Sequence, residues 1–182
     1  MVYILLGKGF EEIEAAAPAD ILRRGGVKTE FVSVGQKAVS GAHGITLTAD
    51  ITIDRMNLFD ADMIIVPGGL GGVESIECSK SAMDAVTKAY ETGIPLGAIC
   101  AGPRVLGKVG ALKGKKAVCY PGMDEQMGGA IIDNSRMTCT DGNIVTGRGP
   151  GAAIAFGLEV LKFMKGEAAA AKVAREMTYD FY

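Results

Sequence analysis

Short, nearly unbroken apolar runs alternate along the chain with longer stretches of helical period, and glycine or proline marks most of the joints. A run that is apolar throughout, with no polar alternation, is buried on both faces, as the strands of a parallel sheet between helices are. Val2 to Leu6, Phe31 to Val34, Met63 to Val66 and Pro95 to Ile99 are strands of this kind, and Ala117 to Cys119 and Asn143 to Thr146 read as later ones. Between them, Glu11 to Arg24 and Lys80 to Thr92 carry the helical period. Glycine closes each (Gly25 and Gly26, then Gly93), where a left-handed C-terminal cap requires it. Ala101 to Val109 and Pro150 to Met164 read as further helices, and the alanine-rich Ala168 to Ala171 favours helix as well. The alternation predicts β-α-β units around a mostly parallel sheet, an α/β fold. Ala38 to Asp50 departs from it. Gly41, Ala42, His43 and Gly44 lie there between two β-prone stretches and predict a hairpin projecting from the sheet, suited to contact a second copy.

Composition narrows the picture. The chain has 182 residues, and a domain takes on the order of 100 to 200, so residues 1–182 are expected to form a single domain. With 48% hydrophobic and 22% charged residues the chain can bury a sizeable core and is not a disordered one. Its formal net charge of -2, with lysines and arginines dispersed, offers no footprint for nucleic acid. The apolar start, Val2 to Leu6, is too short for a signal h-region or a membrane span, so a soluble, cytoplasmic protein is expected. Four cysteines (Cys78, Cys100, Cys119, Cys139) in such a compartment read as free thiols. A single histidine and no C-x-x-C pair leave no expectation of a metal.

The strongest chemical signal is IPLGAICAGPRVLG, where a buried strand runs into Cys100 and then into small residues that open a helix. Most cysteines are simply small buried residues. At a strand-to-helix corner, however, a thiol meets unpaired N–H groups and the positive end of a helix dipole, which favour thiolate and predict a lowered pKa. Ala98, Ala101 and Gly102 leave room for backbone N–H groups to approach an attached oxygen, so the corner is like a nucleophile elbow with sulfur in place of oxygen. The other three cysteines lack such a corner.

In GKGFEEIEAAAPADILRRGG, Glu11 and Glu12 are explained as acids compensating a helix N-terminus. Glu14 differs. Pro18, four residues on, has no N–H for the Glu14 carbonyl, so a kink is expected there. The carboxyl, followed by Ala15, Ala16 and Ala17, stands among small apolar groups where desolvation raises its pKa. A protonated carboxyl beside a thiolate can donate a hydrogen bond and serve as general acid or base. VPGGLGG, Val66 to Gly72, lacks the residues of a P-loop and the spacing of a dinucleotide fingerprint; it reads either as a plain turn or as a backbone donor site, with Gly69 facing the strand ends where Cys100 lies.

Together GKGFEEIEAAAPADILRRGGV, VPGG, AICAGP and TGRGPG, in this order and over nearly the whole chain, resemble the ThiJ/PfpI superfamily, closest to the DJ-one branch with its bacterial ThiJ-like proteins. The resemblance implies a flavodoxin-like sandwich, a homodimer and no cofactor. It implies that Cys100 is the oxidisable nucleophile, Glu14 its carboxyl partner, and the N–H groups of Gly69 and Ala101 an oxyanion site. Arg148 matches the arginine near the pocket and dimer contact, and Arg23 and Arg24 the paired arginines near the subunit interface. The activity implied is cofactor-free glyoxalase or deglycase chemistry on small reactive aldehydes.

One position departs from the pattern. Where relatives place a histidine in a His-Pro step, this chain has Tyr120 in CYPG, and a phenol of pKa about 10 is a poor base near neutrality. His43 stands about where relatives carry an arginine that reaches the partner's pocket. Tyr120, His43 and Arg148 are therefore candidate pocket residues. The competing reading is a non-enzymatic oxidative-stress sensor or chaperone-like protein, in which peroxide oxidises Cys100 and a protonated Glu14 hydrogen-bonds the product. An intracellular cysteine peptidase or amidase fits least, since no histidine accompanies the nucleophile motif.

Overall fold

A computed structural model of the chain describes residues 1–180. In chain order the elements are β1 (Val2–Leu6), α1 (Glu12–Arg24), β2 (Thr29–Ser33), β3 (Ala38–Ser40), β4 (Thr46–Thr48), β5 (Ile51–Thr52) and β6 (Met63–Val66). Then follow α2 (Leu70–Cys78), α3 (Lys80–Thr92), β7 (Leu96–Ile99), α4 (Pro103–Lys108), β8 (Lys116–Ala117) and β9 (Ile131–Ile132). The chain continues through β10 (Thr138–Asp141), β11 (Ile144–Gly147), α5 (Ala153–Lys165) and α6 (Glu167–Glu176).

The seven-stranded sheet has the order β10-β11-β7-β6-β1-β2-β5. Its pairings are parallel except at the β10 edge, which runs antiparallel to β11. The unbroken apolar strands take the middle: β1, β6, β7 and β11 are buried at every position. From β1 the chain works outward through β2 and β5, then returns to β6 on the other side of β1. Connections therefore leave the C-terminal ends of β1 and β6 in opposite directions and open a crevice there, the usual ligand position in such sheets. Helices α1, α5 and α6 pack together, as do α2, α3 and α4, in a flavodoxin-like arrangement. Gly157 of α5 permits close packing on α1, since a Cβ there would lie 3.0 Å from Pro18 Cα and 2.7 Å from Ile21 Cδ1.

The hairpin expected over Ala38 to Asp50 is β3 and β4, paired antiparallel with Val39 opposite Leu47. Several boundaries differ for identifiable reasons. The left-handed residue after α1 is Gly26 (φ 71); Gly25 instead keeps φ -74 while its N–H bonds the Ile21 carbonyl. Ala117 to Cys119 is strand only over Lys116–Ala117, because Val118 and Cys119 donate to the side chains of Thr146 and Asn134 and leave the ladder. Pro150 opens a short 3₁₀ turn before α5. The expected helix from Ala101 begins only at Pro103, after a tight turn. Despite Pro18, α1 stays helical from end to end.

Candidate active site

Cys100 follows the last residue of β7. Its N–H continues the ladder to the Gly147 carbonyl at 2.9 Å, and its φ of 65 is left-handed. A residue with a Cβ pays roughly 1–2 kcal/mol for that conformation, and only Thr178 shares it among the described non-glycine residues. The chain then turns sharply, with Gly102 N–H on the Ile99 carbonyl and Arg104 N–H on the Ala101 carbonyl. This is the elbow geometry the motif predicts, and it presents a thiol that is 8% exposed.

Glu14 lies behind the thiol, fully buried in the first turn of α1. The residue that unites them is Gly68, two positions past the end of β6. Its N–H donates to Glu14 Oε2 at 2.7 Å, and a Cβ placed on it would come within 2.5 Å of that oxygen and 2.7 Å of Cys100 Cβ. Glu14 Oε1 is the one buried side-chain oxygen or nitrogen, among the described residues, without a hydrogen-bond partner of ordinary geometry, and the carboxyl as a whole interacts with the Cys100 thiol. Burial pushes the Glu14 carboxyl up to about 7, against the opposing pull of the Cys100 thiol and the Gly68 N–H.

The thiol reverses the expectation drawn from its corner. Burial, then the charge and hydrogen bonding of Glu14, push Cys100 up to about 12, while the N–H groups of Ala101 and Gly69 pull the other way. The dipole that was to lower it is small and displaced, because α4 is a six-residue helix that starts three residues later. Two negative charges cannot be held side by side in a dry site, so near neutrality the thiol keeps its proton while the carboxyl is divided between its protonated and ionised forms.

Above Cys100 opens a cavity of about 630 Å³. It brings Cys100, Gly69, Ala101, Tyr120 and His43 together, while Glu14 sits beneath its floor. Tyr120 is placed by its N–H on the Cys100 carbonyl at 3.0 Å and by its ring against Gly149. Arg148 does not line the cavity and instead donates to the Asn134 carbonyl at 3.1 Å. Arg23 bonds the Thr29 carbonyl and Asp50, and Arg24 bonds Asp20, all away from the cavity.

Sequence reading missed three contributors. Glu11 is a specific cap, its Oε2 accepting the Glu14 N–H at 2.9 Å, and so fixes the backbone that carries Glu14. Arg104 lines the cavity and is gripped by Glu77 at 2.8 and 3.0 Å; Glu77 also pairs with Lys108. The available signal was the position of Arg104, a cation in the first turn of the short helix that follows the Cys100 corner. Glu12 holds His43, whose Nδ1 is 2.9 Å from its Oε2. Glu11, Glu12 and His43 have ligand atoms within 4.8 Å of one another, but Glu12 already accepts from His43 and Ile45, so the trio is accounted for as an ion pair.

The model of the DJ-1/PfpI family matches residues 1–163. Protein DJ-1 homolog B of Arabidopsis thaliana is 33% identical over 91% of this chain, which spans 38% of that protein's length. Deglycase PfpI of Pyrococcus furiosus is 30% identical, covering 90% of this chain and 99% of that one. The structure of oxidized Toxoplasma gondii DJ-1 superposes with a TM-score of 0.93 at 31% identity, covering 99% of this chain and 98% of that chain.

Proposed function

Because this chain belongs to the DJ-1/PfpI family, we propose that it acts on small reactive aldehydes through Cys100, with Glu14 as the acid and base and without a cofactor. The observation that carries the reading is the pairing of a strained, cavity-floor thiol with a fully buried carboxyl of pKa about 7. The name of the Pyrococcus furiosus relative, a deglycase, agrees with it.

Ionised Glu14 takes the thiol proton as the sulfur attacks the aldehyde carbon of a 2-oxoaldehyde, and the carbonyl electron pair moves onto oxygen. The N–H groups of Gly69 and Ala101 receive that developing charge. Glu14 gives the thiol's proton to that oxygen, which makes the adduct a hemithioacetal and leaves the carboxylate ionised again. Glu14 then removes the proton on the former aldehyde carbon and returns one to the neighbouring carbon, leaving the thioester of a 2-hydroxy acid. Water cleaves the thioester, frees the thiol and releases the acid, so the sum is one 2-oxoaldehyde plus one water. None of these steps requires a histidine base, which accommodates Tyr120.

The test is conversion of methylglyoxal to lactate without glutathione by the native chain, Cys100→Ala and Glu14→Gln. Turnover by the native chain that both variants lose supports the reading, and an inert native chain overturns it. The second reading, an oxidation sensor, draws on the buried Glu14 carboxyl that interacts with the thiol and keeps Oε1 without a hydrogen-bond partner; peroxide yielding a Cys100 sulfinic acid that Glu14→Gln fails to accumulate would favour it. The homodimer implied by the family resemblance belongs to the same proposal. Exposed Ile13 and Ile45 offer apolar surface for it, and sedimentation velocity measures it.

A further inference from the structure

The hairpin tip between β3 and β4 folds back on its own chain at the mouth of the cavity. Ala42 N–H bonds the Phe10 carbonyl at 2.8 Å, and Gly9 N–H bonds the Ser40 carbonyl at 2.8 Å. At its centre the Glu12 carboxylate, almost fully buried, accepts the His43 N–H at 2.7 Å, the His43 ring Nδ1 at 2.9 Å and the Ile45 N–H at 3.3 Å. Gly41 lies flat on the Glu12 side chain, where a Cβ would fall 2.6 Å from Glu12 Cγ. Ala42 and His43 thereby become one wall of the cavity above Cys100.

We propose that His43, clasped to Glu12, is a positioning residue that holds this wall closed over Cys100 and so sets how tightly the pocket holds an aldehyde. His43 acts through Glu12 and not on the reacting atoms. The proposal rests on the aldehyde reading for its kinetic arm and on the thiol alone for its second arm. The clasp belongs to one chain, so a partner subunit is not needed to place the ring.

Several charges face the ring: Glu12 from α1, Glu11 from its cap, and across the cavity Glu74 from α2 and Arg104 from α4, with Cys100 at the floor. The hydrogen bond and charge of Glu12 raise the His43 pKa above its ordinary 6.5. Burial works against ionisation of Glu12, but its bonds from His43 and Ile45 outweigh it and hold the carboxyl at about 2. The sign follows from the raised imidazole: the charged clasp is complete below the ordinary histidine pKa and weakens as pH rises through the folded value. A neutral ring can still donate from Nδ1, so this pH step is smaller than the effect of removing the ring.

The test compares the native chain with His43→Ala and with His43→Asn, whose amide N–H reaches the place of Nδ1 without titrating. For methylglyoxal, His43→Ala is expected to raise KM roughly five- to tenfold at nearly constant kcat, the loss of about one charge-assisted bond. His43→Asn restores the native KM, and the ratio of native to His43→Asn KM climbs with pH. In parallel, mass spectrometry follows alkylation of the Cys100 peptide by a bulky maleimide, expected to speed up severalfold in His43→Ala and to return in His43→Asn. Equal KM and equal alkylation across the three proteins, or a fall in kcat that His43→Asn does not repair, overturns the proposal. A native chain without turnover sinks the aldehyde reading alone, since the alkylation rates still decide whether the clasp closes the wall.

Discussion

Glu14→Gln is expected to make the protein more stable and inactive. The folded chain raises the Glu14 carboxyl from its ordinary 4.5 to about 7, so the native state binds a proton that the unfolded chain has released. Such a group stabilises fully below the unfolded value, and the contribution is lost as pH rises through the folded one. At about 1.36 kcal/mol per pH unit the span from 4.5 to about 7 amounts to about 3 kcal/mol. Glutamine does not ionise, keeps an oxygen for the Gly68 N–H and has nearly the shape of glutamic acid. Its advantage over the native chain is therefore about 1 kcal/mol near pH 5 and about 3 kcal/mol near pH 8. Urea unfolding of both proteins at the two pH values reads this directly, and with a slope of about 2 kcal/mol per molar the midpoints at the higher pH differ by about 1.5 M. Titrating groups that do not touch Glu14 are common to both chains and cancel, and pairing each comparison with the same two chains carrying Cys100→Ala removes the thiol that Glu14 perturbs. A stability difference independent of pH, or a native chain that is the more stable at the higher pH, would refute the buried, proton-holding carboxyl.

Three further outcomes follow from the same geometry. Cys100→Gly unfolds at higher urea than Cys100→Ala, by about 1 kcal/mol, because glycine accepts the left-handed φ of 65 at no steric cost and alanine does not; equal midpoints would mean the elbow is unstrained. In Gly68→Ala the new methyl collides with Glu14 Oε2, Cys100 Cβ and Ala101 N at 2.5 to 3.0 Å, costing about 1–3 kcal/mol and on the order of a hundredfold in turnover, measured by urea unfolding and steady-state kinetics. Thr146→Val strips Val118 N–H of its fully buried acceptor at 3.0 Å, an expected loss of about 1–3 kcal/mol by thermal unfolding.

The parts of the fold that one signal specifies were legible. Met63–Val66 and Lys80–Thr92 fall where their apolar run and their glycine-closed helical period put them. Elements without such a signal were missed: β5 and β9 have two residues each, too few for a pattern, and α2 begins inside a glycine-rich run that looks like loop. There Gly72 serves approach, packing on Phe10 where a Cβ would lie 2.8 Å from its nitrogen. At the site, the elbow could be read from the small residues around Cys100. The proton state of its thiol could not, because it depends on burial in the finished fold and then on the carboxyl of Glu14, which is held by Gly68, 54 positions away. The same holds for His43, whose partner Glu12 lies 31 positions away.

The crevice between β1 and β6 also governs when the site comes into being. Glu14 arrives after the first strand, Gly68 after β6, Cys100 after β7, and the Cys100 N–H is tied down only when β11 pairs alongside. Parallel pairings between distant segments form late and slowly in folding. Until they form, Cys100 is an ordinary cysteine near its usual 9.0, far more readily ionised than the native thiol at about 12. Indiscriminate electrophiles therefore threaten the unfinished chain more than the finished one, and completion of the sheet withdraws this sulfur from general reactivity.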